Sequence, residues 1–230
     1  MTILYILAGL CVALSVPLAA LNNRKIDRPR LLVKIAASLV FCLVGLLAAV
    51  RRAQPMNTQT VLMLCALVLG LAGDIVLGMD RFIAREQRNF MILAGGTPFF
   101  LGHFLYIGLL LSLAPLNLWL LPLLLFMPVL FLSLHKSKAV VFGKMLAPLM
   151  IYALLLGVML LSTLNLAVRG GPLGRLMIFP GILFTISDAS LFIGDFGNER
   201  VKRHAPVFSY LVSVPYYAAQ ALFALSVVYL

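Results

Sequence analysis

The sequence predicts an all-α fold, a polytopic membrane bundle of eight transmembrane helices, on three observations. Hydrophobic residues make up 63% of the 230 positions and charged residues only 11%. Mean hydropathy is +1.10, which would leave far too apolar a surface on a water-soluble domain. Apolar stretches of about 18 to 25 residues, each long enough to cross about 30 Å of hydrocarbon, fall near 2–21, 31–50, 60–79, 90–113, 115–134, 144–165, 174–194 and 206–229. The connections between them are short, so residues 1–230 read as a single integral membrane domain whose chemistry must happen inside or at the edge of the bilayer.

The first segment follows Met1 at once, with no basic region before it and no small-residue cleavage site before Asn22, and is expected to be a retained helix. The second follows a basic connection and carries Lys34 near its start. The third and seventh each contain an acid, the fourth a His, and the sixth and eighth interior Tyr residues. Pro115, Pro122 and Pro128 cluster at the fifth, whose start is the least sharply marked.

Lys and Arg orient the bundle. All but four of the 18 basic residues lie in or beside the odd-numbered connections, among them Arg81, Arg85 and Arg88 in the third; Arg51, Arg52, Arg169 and Arg175 are the exceptions. The positive-inside rule makes the odd connections cytoplasmic and puts both termini on the other side. The net charge of +11 is thus a topology signal and an attraction to anionic head groups of the lipid bilayer. Nucleic acid is excluded as a partner because the basic residues are scattered and no binding motif accompanies them. No obligate protein partner is indicated. Cys11, Cys42 and Cys65 lie within spans without metal-ligand spacing and read as packing residues.

The two acids stand out because an ionisable group in the bilayer core costs roughly 2.5 to 3.5 kcal/mol on insertion scales. Asp74 lies in VLMLCALVLGLAGDIVLGM and Asp188 in LMIFPGILFTISDASLFIG, 114 positions apart in a chain whose half-length is 115. Both open D-x-x-L-x-x-x-x-F (Asp74, Leu77, Phe82; Asp188, Leu191, Phe196). His103 and Tyr106 follow the first acid at the spacing at which Tyr217 and Gln220 follow the second. Tandem four-helix halves, about 1–115 and 116–230, would be related by a pseudo-two-fold axis along the membrane normal, with both acids facing a shared cavity. Independently of any repeat, both acids fall roughly 8 to 11 Å inside the cytoplasmic ends of their helices.

Gly70, Asp74 and Gly78 share one face of the third segment with Gly73 beside them, a surface that lets a neighbouring helix or a ligand come close. Ser187 precedes Asp188, but adjacent residues point about 100° apart on a helix, so Ser187 suits a helix–helix hydrogen bond as well as a site role. Asp80, Glu86, Asp195 and Glu199 belong to rim or loop sequence. His103 shares a face with Tyr106 and is suited to orient one carboxylate. Tyr152, Tyr216, Tyr217 and Gln220 place polar atoms at mid-membrane depth. Lys34 admits two readings, a snorkelling side chain or a phosphate contact. No metal site is expected, since His135 and His204 are in or beside loops and G-x-S-x-G and H-E-x-x-H are missing. No cofactor is called for.

Taken together, Lys34, Gly73-Asp74 with Leu77, Gly102 through Tyr106, Tyr152, Phe184 with Ser187-Asp188, and Tyr217 with Gln220 resemble the YhhN family of bacterial membrane proteins, whose animal relatives include lysoplasmalogenases. The order and spacing of these motifs run over most of the chain. Ile35 follows Lys34 where the family pattern has Pro. The resemblance implies a bacterial inner-membrane protein that hydrolyses the vinyl ether bond of a lysophospholipid, a lysoplasmalogen, to a fatty aldehyde and glycerophosphocholine or glycerophosphoethanolamine. Such a bond is cleaved by protonating its β-carbon and adding water to the resulting oxocarbenium ion, work for an acid and a base. Asp74 and Asp188 would divide these roles as the catalytic residues. His103, Tyr106, Tyr152, Ser187, Tyr217 and Gln220 would position water and substrate, and Lys34 would contact the phosphate.

Two rival classes share the paired acids. A lipid or proton-coupled transporter would also place them in the membrane, although both acids here sit in continuous apolar runs. An intramembrane aspartyl protease is disfavoured because GLAGD lacks G-x-G-D and the seventh segment lacks a Tyr-Asp pair.

Overall fold

The computed structural model describes residues 1–52, 54–83 and 87–230; Arg85 and Glu86, read above as loop residues, lie outside them. Eight described helices are long and apolar enough to cross a membrane. Their α-helical parts are α1 (Thr2–Asn23), α2 (Asp27–Val50), α3 (Thr58–Gly78), α4 (Arg88–Leu113), α5 (Phe126–Lys136), α6 (Leu146–Val168), α7 (Gly171–Phe196) and α9 (Ala205–Ser226), with a short α8 (Glu199–Lys202) between the last two; the fifth span reaches its length only with the residues before α5, Leu118–Lys136. The protein is an integral membrane bundle.

Local chemistry sets the helix ends. Asn57 caps α3 by accepting a hydrogen bond from the Thr60 N–H, and Asn198 caps α8 by accepting from Val201. Gly170 and Gly171, with φ of 81° and 82°, make the tight turn into α7, a conformation only glycine adopts without strain. The fifth span departs from a continuous helix. It begins as a 3-10 segment, Leu118–Leu125, with Pro122 inside it, and becomes α-helical only at Phe126. Proline supplies no N–H and clashes with the preceding turn, so the α-helix starts late.

Six helices close into a ring in the order α2, α3, α4, α6, α7, α9, with α9 packing back on α2. The two remaining spans lie outside this ring and are not equivalent. α1 packs on both α2 and α9 and covers the seam between them, whereas α5 packs on α6 and the 3-10 segment and has no comparable packing against α4. The core at the ring's centre is aromatic: Tyr106 stacks on Phe223 with centroids 4.3 Å apart, and Phe184 presents edges to His103 at 4.7 Å and to Tyr216 at 5.4 Å.

Candidate active site

Asp74 and Asp188 line one cavity of about 530 Å³. Asp74 lies four residues before the end of α3 and Asp188 eight before the end of α7, about 6 and 12 Å of helix rise. Both acids therefore belong to the half of the bundle that carries Arg30, Asp80, Arg81 and Asp195, here termed the charged end. Both are buried, and both stand in uninterrupted α-helix.

Their surroundings differ. On Asp74, Ser38 donates to Oδ2 at 2.6 Å and Tyr216 donates to the same oxygen at 2.7 Å. The Lys34 ammonium stands 3.2 Å from Oδ1. Two hydroxyl donors and a cation are the partners of an ionised carboxylate, which has only acceptors to offer.

On Asp188, Tyr152 donates to Oδ2 at 2.7 Å, and His103 Nε2 lies 3.8 Å from that oxygen. The other ring nitrogen, Nδ1, is 2.7 Å from the Phe99 carbonyl, which can only accept, so Nδ1 carries a hydrogen. In the neutral ring Nε2 is then a bare lone pair. It is buried and meets no donor. The bare lone pair of Nε2 thus faces Asp188 across 3.8 Å, an arrangement that favours a proton on one of the two groups.

A directed chain of hydrogen bonds supports the Asp74 side. Tyr106 donates to Gln220 Oε1 at 2.7 Å, the Gln220 amide donates to the Tyr216 hydroxyl at 3.2 Å, and Tyr216 donates to Asp74. Every hydroxyl gives its one proton onward, which fixes the tyrosine rotors and the amide orientation. Gly70 makes room for this chain, since a Cβ there would lie 2.5 Å from Gln220 Nε2. Tyr217 donates to the Lys34 carbonyl at 3.2 Å and faces the Ser38 hydroxyl at 3.3 Å.

Of the residues singled out from sequence, Lys34, Tyr152, Ser187 and Tyr217 line the cavity with the two acids, while His103, Tyr106 and Gln220 stand behind its wall. The Ser187 hydroxyl donates at 2.8 Å to the Val212 carbonyl, the helix–helix tie that was one of its two readings. Ser187→Ala should therefore lower stability by only about 0.6 kcal/mol, the usual size of such a bond in a membrane protein, seen as a small drop in Tm in detergent. The Lys34 ammonium, read from sequence as a snorkelling group or a phosphate contact, stands 3.2 Å from Asp74 on the wall of the cavity. Arg30 also lines the cavity; it is only 6% exposed, and its Nη2 donates at 2.7 Å to the Gly78 carbonyl and to Asp80 while Nε has no partner. Arg81, paired with Asp27 at 3.0 Å, lines the cavity beside it.

Sequence reasoning missed Ser38 and Arg30. Ser38 was findable: it lies one helical turn after Lys34, on the same face. Arg30 looked like any other loop cation.

Fold and site define a class, an α-helical polytopic membrane protein that holds two unlike carboxylates on one cavity with a charged mouth. The profile of the YhhN family matches residues 29–227, most of the chain, and the chain belongs to that family. No curated protein and no solved structure matches it.

Proposed function

We propose that the protein is a membrane-embedded hydrolase of the vinyl ether bond of lysoplasmalogens, alkenyl-glycerophosphocholine or -ethanolamine, acting in a bacterial inner membrane with both termini on the non-cytoplasmic side. The observation that carries this reading is that two acids line one cavity in unlike surroundings, Asp74 beside the Lys34 ammonium and two hydroxyl donors, Asp188 beside the Tyr152 hydroxyl and the unpartnered Nε2 of His103. Asp74 and Asp188 are the proposed catalytic residues.

In this mechanism the Asp188–His103 pair delivers its proton to the β-carbon of the vinyl ether. The electron pair of the double bond forms the new C–H bond, and the ether oxygen stabilises the α-carbon cation. Asp74, held ionised by Lys34, Ser38 and Tyr216, lowers the energy of that cation by charge alone, as a preorganised counter-ion in a low-dielectric site does. Water adds to the α-carbon and gives its proton to the vacated Asp188–His103 pair, which thus acts first as acid and then as base. As the hemiacetal breaks its bond to the glycerol oxygen, that oxygen takes the proton from the reloaded pair and the hemiacetal hydroxyl returns its own to the pair, leaving an aldehyde, a glycerophospho head group and the pair protonated as at the start.

Transport is the competing reading. The unbroken helices around both acids favour hydrolysis, because carriers commonly interrupt helices where they bind. Purified protein in detergent, incubated with a lysoplasmalogen, is expected to release fatty aldehyde and head group in equal amounts, read by mass spectrometry. A carrier has nothing to cross there and would release neither, and a lack of products would reject the hydrolase.

A further inference from the structure

Resting on the lipid-hydrolase reading, we infer that the seam between α4 and α6 is a lateral portal, through which the hydrocarbon chain of a single-chain phospholipid reaches the cavity from the membrane. The cavity wall includes Leu93 and Thr97 of α4 and Ile151 of α6, and Leu93 and Ile151 are 45% and 60% exposed on the outside of the bundle. A single cavity touching both the buried acids and these outward residues is open to the side.

The depth suits a hydrocarbon chain. Leu93 and Thr97 lie five and nine residues into α4, and Ile151 five into α6, about 8 to 14 Å of helix rise below the charged end. That level is hydrocarbon, whereas the charged end with Arg30 and Arg81 lies at head-group level. An amphiphile with a charged head and one chain matches both ends of the space, its head at the arginines and its chain leaving sideways.

Gly96 forms the gap. A Cβ at Gly96 would meet nothing within 4 Å, while at the neighbouring Gly95 it would strike Leu77 of α3 at 2.5 Å. One glycine thus packs the helix inward and the next leaves the wall open. The counterpart seam, between α9 and α2, is covered by α1, but α5 does not cover α4 in the same way. One of two similar seams is thereby left facing lipid.

The test uses full-length protein in phosphatidylcholine vesicles and a lysophosphatidylcholine bearing a diazirine at the end of its acyl chain. Photolabelling should place adducts on residues 93–97 and 148–152. Gly96→Trp should reduce labelling about tenfold, the change that ~1.4 kcal/mol of lost binding produces. Gly9→Trp, at a lipid-facing glycine of α1 with equal free space, should leave it unchanged. Should Gly96→Trp fold poorly, Gly96→Cys blocked after purification with a bulky thiol reagent serves the same purpose. Adducts confined to the α1 side, or labelling indifferent to a plug at residue 96, would overturn the portal. A parallel assay with a water-soluble short-chain vinyl ether should show turnover retained in Gly96→Trp while long-chain turnover falls. Equal loss of both substrates counts against the portal. If the parent protein cleaves neither, the hydrolase reading fails, and the labelling alone then decides the portal.

Discussion

Asp188→Asn should slow aldehyde release by about 10²- to 10⁴-fold, the usual contribution of a positioned proton donor, while leaving the protein folded. The amide keeps the size of the acid, and its oxygen can still accept the Tyr152 hydroxyl now found 2.7 Å from Asp188. What disappears is the transferable proton, and His103 Nε2 would face an amide in place of its partner 3.8 Å away. His103→Gln should give a smaller loss and a changed pH profile of kcat, because it removes the partner that shares the proton and leaves the carboxyl in place. Tyr152→Phe removes the hydroxyl that donates to Asp188 at 2.7 Å and should likewise change the pH profile of kcat. These effects are read as kcat and KM on purified protein of matched Tm. An Asp188→Asn protein that turns over at the parent rate would remove Asp188 from the chemistry.

Lys34→Met should have the largest effect on stability. Asp74 is buried and its carboxylate lies 3.2 Å from the Lys34 ammonium. Deleting one partner of a buried pair strands the other charge and commonly costs about 3 to 5 kcal/mol. The variant should melt well below the parent in detergent, and adding Asp74→Asn should recover most of the loss, since no uncompensated charge then remains. The pair of single variants with the double measures the coupling directly. Activity should not return in the double variant, because the counter-ion to the cationic intermediate is gone. If Lys34→Met melted with the parent, the ion pair would not be structural.

Much of the bundle was legible in the sequence because a bilayer leaves few solutions: long apolar runs must be helices, and their lengths mark the spans. The fifth span was blurred for the same reason that it is irregular, since its prolines disrupt the helix without interrupting the hydrophobic run. Asp74 and Asp188 were conspicuous by their cost. Their partners were not. Ser38 is an ordinary residue for a membrane helix and gains meaning only when α2 packs on α3. Tyr216 and Tyr217 are adjacent, and helical phase alone could not say which would face Asp74; the structure uses Tyr216 on the acid and Tyr217 on the Lys34 carbonyl. The ammonium of Lys34 lies within reach of either a head group or a buried acid, and the packing of α2 on α3 brings it to the acid.

Several contacts recur on a shift of 114 positions, the separation of the two acids. Ser38 donates to Asp74 as Tyr152 donates to Asp188, and Tyr106 bonds Gln220, its own counterpart. The bonds also cross between halves. Asp74 takes a proton donor from α9, and Asp188 faces an imidazole from α4. Each acid thus draws partners from both groups of four spans. Separately produced, the first four spans would keep Lys34 and Ser38 on Asp74 but lose Tyr216, and the last four would keep Tyr152 on Asp188 but lose His103, so only a chain that joins them gives each acid its full surroundings.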